Sequence, residues 1–224
     1  MSRHFPGLMM AAALVASCDT RQPDLGCPIQ GVEWVATYKP VGENTCPGLP
    51  GEMLGIQKYQ QQLVLKPQTL NDMDPTDELD PGHPSYAAGD LPAEADADGF
   101  CTVATLSVAE KHVPQGAEPS LPTDAVYRWS NVRLVVLAEA PGTQLIADLE
   151  YTAKASGQEC TARYEVWAMW PGDVDCEALD APGTPDDSLC QDSGGIPPGF
   201  DVTCDPLQLR CVPARRPPSL RSPL

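Results

Sequence analysis

Two neighbouring stretches decide the fold: Val132-Arg133-Leu134-Val135-Val136-Leu137-Ala138-Glu139-Ala140-Pro141-Gly142-Thr143-Gln144-Leu145-Ile146-Ala147-Asp148-Leu149-Glu150-Tyr151-Thr152-Ala153-Lys154 and Glu159-Cys160-Thr161-Ala162-Arg163-Tyr164-Glu165-Val166-Trp167-Ala168-Met169-Trp170. Apolar and polar residues alternate with a period of two, the signature of strands with one buried face. Pro141-Gly142 reads as a turn, because proline fixes φ and glycine accepts a positive one. Ala155-Ser156-Gly157-Gln158 reads as a second. Three antiparallel strands follow, over 132–139, 144–154 and 159–170. If Glu139 faces Gln144, then Val132, Leu134, Val136 and Ala138 meet Tyr151, Leu149, Ala147 and Leu145. If Lys154 faces Glu159, the same middle strand meets Cys160, Ala162, Tyr164, Val166 and Ala168. One face is then apolar throughout, so the two registers support each other.

The same registers set an outward Arg133–Glu150–Arg163 row, a cross-strand ladder rather than a site. They also set Asp148 against Glu165, which they leave unexplained. A second outward row, Leu137, Ile146 and Trp167 with Val135 nearby, lines up large apolar groups that water should not meet. Cover by the cysteine-rich segment that begins at Cys176 is the first reading. A glycan or another small ligand stacking on Trp167 is the competing one.

Working outward, Val32-Glu33-Trp34-Val35-Ala36-Thr37-Tyr38 alternates with Trp34, Ala36 and Tyr38 inward. Short runs near 54–56 and 63–65 and a longer one over 100–108 repeat the pattern, and no stretch shows a helical period. The expected fold is mainly β: an antiparallel β-sandwich or small barrel with a disulfide-rich, loop-rich C-terminal segment. A chain of 224 residues suits one such domain with a small appendage. The expected divisions are a signal peptide over 1–17, a lipidated tether over 18–31, a β domain over 32–171 with an acidic loop at 72–98, a cysteine-rich segment over 172–213 and a disordered tail over 214–224.

The chain carries 31 acidic and 14 basic side chains, a formal charge of −17. Residues 72–98 and 173–205 each hold nine acidic groups and no basic ones, so the strands between them are close to neutral. With so few and such scattered cations, a nucleic-acid partner is excluded. Residues 94–99 superficially resemble a calcium loop. However, position one is Glu94, and position twelve is Thr105, which has no carboxylate to offer. The acidic stretches read as solvated loops.

The first residues are Met1-Ser2-Arg3-His4, then the apolar run Leu8-Met9-Met10-Ala11-Ala12-Ala13-Leu14-Val15-Ala16, then Ser17-Cys18. A basic start, an apolar stretch too short to span a bilayer and small residues at the exit make a secretory signal peptide. The ending Val15-Ala16-Ser17-Cys18 resembles the lipobox of bacterial lipoproteins. That resemblance implies a diacylglycerol thioether on Cys18, cleavage before it and acylation (palmitate) of the new amino group, giving a membrane anchor. Removing Cys18 leaves an even set of eight: Cys27, Cys46, Cys101, Cys160, Cys176, Cys190, Cys204 and Cys211. In an exported chain these are expected to form four disulfides, whose pairing sequence alone leaves open among 105 arrangements. A short Cys204–Cys211 loop is one of them. No Cys-x-x-Cys pair exists, so no metal is expected, and no cofactor either.

Nucleophile elbows, zinc-protease motifs and phosphate loops are absent from the sequence. His83 lies in the acidic loop and His112 ends a strand beside Lys111, neither near a recognisable nucleophile. The chain is therefore read as no enzyme, an enzyme of unknown class ranking third among its functions.

The ending Gly195-Ile196-Pro197-Pro198-Gly199-Phe200-Asp201-Val202-Thr203-Cys204-Asp205-Pro206-Leu207-Gln208-Leu209-Arg210-Cys211-Val212-Pro213 is similar to that of uncharacterised lipoproteins from myxobacteria. Tyr38-Lys39-Pro40-Val41-Gly42-Glu43-Asn44-Thr45-Cys46-Pro47-Gly48-Leu49-Pro50-Gly51 is similar to their first strand and cysteine loop. The resemblance brings no known activity. The expected protein is extracytoplasmic and held to a membrane by its N-terminal lipid, on the periplasmic face or the cell surface. Its role is structural or binding, with a protein or glycan partner; the alternative is a ligand-binding module that uses Leu137, Ile146 and Trp167.

Overall fold

Alternating apolar residues give strands that must close on themselves or pair face to face to hide one side. In the computed structural model, which describes residues 26–73, 84–113, 122–155, 157–192, 195–196 and 199–220, they close on themselves. The elements are β1 (Glu33–Pro40), β2 (Glu52–Tyr59), β3 (Gln62–Pro67), α1 (Gln68–Met73), β4 (Ala87–Asp90), β5 (Phe100–Thr105), β6 (Ala109–His112), β7 (Asp124–Leu137), β8 (Ala140–Ala155), β9 (Gln158–Met169), α2 (Asp187–Asp192), β10 (Val202–Asp205), β11 (Arg210–Pro213) and a 3-10 turn over Pro218–Leu220. The first nine strands form one antiparallel sheet in the order β4-β3-β2-β1-β9-β8-β7-β5, with β6 also on β7. Its ends approach one another: Ser107 N–H donates to the Ala88 carbonyl (2.8 Å) and Ala88 N–H to Ser107 Oγ (2.9 Å). Of the two expected architectures, the result is the barrel, nearly closed. The two helices have six residues each, too short for a helical period to show in sequence.

The Lys154–Glu159 register is present as expected, down to Leu145 opposite Ala168. The β7–β8 register differs from expectation. Tyr151 faces Tyr127 rather than Val132, and the turn is Ala138-Glu139, with Leu137 facing Ala140. Two bulges account for the difference. At Asn131, φ 50°, one extra residue enters β7 between the Ser130/Asp148 and Arg133/Ile146 pairs. The inward phase therefore passes from Ala125, Tyr127 and Trp129 to Val132, Leu134 and Val136, and the strand begins eight residues earlier than its second half suggests. The second bulge inserts the expected turn, Pro141-Gly142, into β8 itself. Gly142 has φ +73°, and a Cβ there would lie 2.1 Å from the Pro28 carbonyl oxygen. Only glycine lets the chain before β1 approach and donate from Gln30 N–H to the Gly142 carbonyl (3.0 Å).

The barrel interior is filled by Trp34, Tyr38, Ile56, Leu65, Trp129, Leu149 and Tyr164 among others, all buried. A second cluster joins Val35 and Met169, on the outer face of β1 and β9, to Cys176, Cys190, Val202 and Val212 of the C-terminal segment. The acidic stretch 72–98 is not a continuous loop: α1 enters it and β4 pairs with β3 inside it. Residues 74–83, including His83, lie outside the described residues, as does Cys18. Over 214–220 the tail departs from the expected disorder, because Leu220, the last residue of the 3-10 turn, is buried against Phe100, Val135 and Ala140.

Candidate functional site

The eight cysteines after Cys18 pair as Cys27–Cys101, Cys46–Cys160, Cys176–Cys204 and Cys190–Cys211. Cys204 and Cys211 are cross-strand neighbours in the β10–β11 hairpin, but each bonds elsewhere, so the short loop does not form. The sulfurs of Cys176, Cys190 and Cys211 converge within 4.8 Å. All three are in disulfides, and a disulfide sulfur is no thiolate ligand.

The outward apolar row is brought together only in part. Leu137 and Ile146 pack against a cluster of Phe100, Val135, Ala140 and Leu220. Trp167 pairs across the ladder with Ile146 on one side and Thr37 on the other. It is half-buried, Lys39 Nζ lies 5.0 Å over its ring, and its indole nitrogen is buried with no hydrogen-bond partner among the described residues. The cover is the chain's own C-terminal end, residues 213–220, which crosses this face as a strap. Thr37 Oγ1 donates to the Pro213 carbonyl (2.9 Å), Arg216 pairs with Glu165, and Ser219 N–H donates to Gln144 Oε1 (3.0 Å). The expected cover, the segment from Cys176 to Cys211, lies instead over Val35 and Met169.

The strap also resolves the like-charge pair. Asp148 does face Glu165, but Asp148 accepts from Asn131 Nδ2 (2.7 Å) and Glu165 takes the Arg216 guanidinium. The charged ladder forms with Arg128 in place of Arg133: Glu150 lies 4.0 Å from Arg128 and 3.7 Å from Arg163. Displaced by the Asn131 bulge, Arg133 stacks its guanidinium 4.1 Å over the Phe100 ring.

Other candidate groups have structural work. Asp96 Oδ1 accepts the amides of Asp98 (3.0 Å) and Phe100 (2.9 Å), a local turn that leads into β5. His112 Nδ1 bonds Asp124, which also accepts Thr123 Oγ1 (3.3 Å). Here the carboxylate sits between imidazole and hydroxyl, whereas activating a hydroxyl requires the imidazole in the middle.

Sequence reasoning missed Glu52. It is 3% exposed, deep in the barrel. Tyr38 Oη (2.6 Å) and Tyr127 Oη (3.2 Å) donate to its Oε1, and Thr69 N–H (2.8 Å) donates to Oε2. Burial raises the Glu52 carboxyl against the opposing pull of these donors. Burial first, and then the Glu52 charge, raises the phenols of Tyr38, Tyr127 and Tyr151. The group ties β1, β2, β7 and α1 together from inside. The signal was available: in Glu52-Met53-Leu54-Gly55-Ile56, Glu52 shares the inward parity of Leu54 and Ile56.

Fold and site together define a class: a nearly closed antiparallel barrel with a polar knot in its core, a disulfide-braced appendage and an outer face strapped by its own C-terminus. The model of the MlpA family matches residues 32–171, the stretch that contains the whole barrel, and the chain belongs to that family. It is similar to the protein named "Putative lipoprotein MlpA" of Myxococcus xanthus, 29% identical over 234 residues that cover 96% of this chain and 95% of the relative. No solved structure matches. Among the described residues, no helix is long and apolar enough to cross a membrane.

Proposed function

We propose that this chain is an envelope lipoprotein, held to a membrane through lipid on Cys18, whose barrel has a non-catalytic structural or binding role. One observation carries the reading: the four disulfides use the eight later cysteines among themselves, so the ninth, the last residue of Val15-Ala16-Ser17-Cys18, is left over for acylation. The name of the Myxococcus xanthus relative agrees with it. The non-catalytic part is supported by the engagement of Glu52, Asp96 and His112 in structural hydrogen bonds. Two or more acyl chains hold essentially permanently, because each buried methylene contributes about 0.8 kcal/mol. Expressed in its native host, the Cys18→Ala chain should move from the membrane to the soluble fraction and lose palmitate labelling. Retention of the variant at the membrane would defeat the anchor.

A further inference from the structure

We propose that the outer face of β2, β3 and β4 binds a neutral glycan, with Tyr59 and Tyr86 as stacking platforms at its two ends. The registers lay this face out as a grid. Tyr59 faces Gln62, which faces Asp90; Gln57 faces Val64, which faces Ala88; and Gly55 faces Lys66, whose place in the β3–β4 register continues to Tyr86. These residues have one parity and point outward, while Ile56, Leu63 and Leu65 fill the barrel. The result is a depression of about 390 Å³ floored by Val64 and Ala88 and walled by the two tyrosines, Gln57, Gln62 and Lys66. Tyr59, the last residue of β2, is 64% exposed, and Tyr86, one residue before β4, is 38% exposed.

The two tyrosines stand at opposite corners, two strands apart and four residues along. Strand spacing and rise put them about 16 Å from each other, the length of a short oligosaccharide. A pyranose offers one flat C–H face and a rim of hydroxyls. Tyrosine rings suit the face, and glutamine amides, which both donate and accept, suit the rim. Charge selects among glycans. Lys66 is the one charged residue lining the depression, in a chain of net charge −17 whose field repels polyanions. The small apolar floor gives little to a lipid or an amphipathic peptide.

The position of the face deepens the envelope reading and rests on it in this one respect. Lys58 Nζ donates to the Cys27 carbonyl (3.4 Å), which sets Cys27 beside the hairpin that carries Tyr59. Nine residues span at most about 30 Å, so an anchored barrel keeps this face close to the membrane surface.

The test uses the mature chain with Cys18→Ala, free of lipid, titrated by NMR with cello-, malto- and chito-oligosaccharides of six units and by co-sedimentation with purified envelope polysaccharide. Saturable binding to a neutral glycan is expected, weakened about tenfold or more by Tyr59→Ala and by Tyr86→Ala. Arg163→Ala, at the separate depression beside Glu150, should leave it unchanged. Circular dichroism identical to the parent keeps misfolding out of the comparison. No binding to any of these glycans, or binding indifferent to both tyrosines, overturns the proposal. Because the chain tested carries no lipid, failure here is separate from failure of the anchor.

Discussion

The barrel and the C-terminal segment solve the same problem by different means. Between β1 and β9 the chain buries two tryptophans, four tyrosines and a full set of aliphatic residues in one cluster. Its two disulfides, with separations of 74 and 114 residues, brace a core that already exists. The segment from 172 to 213 has a four-residue hairpin pair, one short helix and a small core, shared with Val35 and Met169 of the barrel, in which four of the eight buried members are cysteines. Its disulfides close separations of only 28 and 21 residues. On the chain-entropy account each such closure supplies roughly 3 kcal/mol. There, cross-links stand in for buried area, as in small secreted domains.

The contrast is most directly broken by removing both short cross-links. Cys176→Ala with Cys190→Ala should cost about 6 kcal/mol locally and leave residues 172–213 exchanging amide hydrogens like an unfolded peptide, with the amides of β1 to β9 still protected. Protection that persists in 172–213 would mean its apolar contacts suffice. Inside the barrel, Glu52→Ala strands two phenols and the Thr69 amide, and is expected to cost about 2–4 kcal/mol in denaturant titration. Glu52 also predicts a pH signature. Its folded pKa is raised above the ordinary 4.5, so its contribution is fully present below that value and lost as pH rises through the folded value. Glu52→Gln should therefore remove this decline from the stability profile. A parallel decline in the variant would assign it elsewhere.

Smaller effects probe the join between the regions. Leu220→Ala should loosen the strap, with a loss of about 2 kcal/mol and faster exchange of the Ser219 amide that now donates to Gln144. Smallest of all is the charged ladder. Arg128→Ala should change stability by less than about 1 kcal/mol, because both partners are half exposed. A larger loss, measured at low and high salt, would show that the row does more than edge the sheet.

Period-two patterning made the barrel's strands readable wherever the alternation ran unbroken, as in β1, β9 and the part of β8 from Gln144 onward. It failed at Asn131, where one inserted residue reverses the parity. Read from Val132 onward, the strand loses its first half, and with it Tyr127, Trp129 and the partner of Glu150. Proline and glycine misled for a related reason. Pro141-Gly142 has turn chemistry, but here that chemistry serves a bulge which receives the segment around Pro28, and a long-range contact of this kind leaves no local trace. The strap was equally hidden. Arg215-Arg216-Pro217-Pro218 reads as a disordered tail, and its order depends on partners far back in the chain, Thr37, Gln144, Ile146 and Glu165. Glu52 and the two outward tyrosines differ from these: their parity was visible, and only their neighbours were not.

The Cys27–Cys101 bond also has a mechanical meaning. A pull on the N-terminal end would otherwise reach β1 first and unzip it from β2 and β9 one hydrogen bond at a time. Instead the load leaves the main chain at Cys27 and passes through a covalent link into Cys101 of β5, at the far end of the sheet order. The five residues between Cys27 and Glu33 share that load instead of carrying it alone. A pull on the segment before Cys27 thus reaches β1 and β5 together rather than β1 alone.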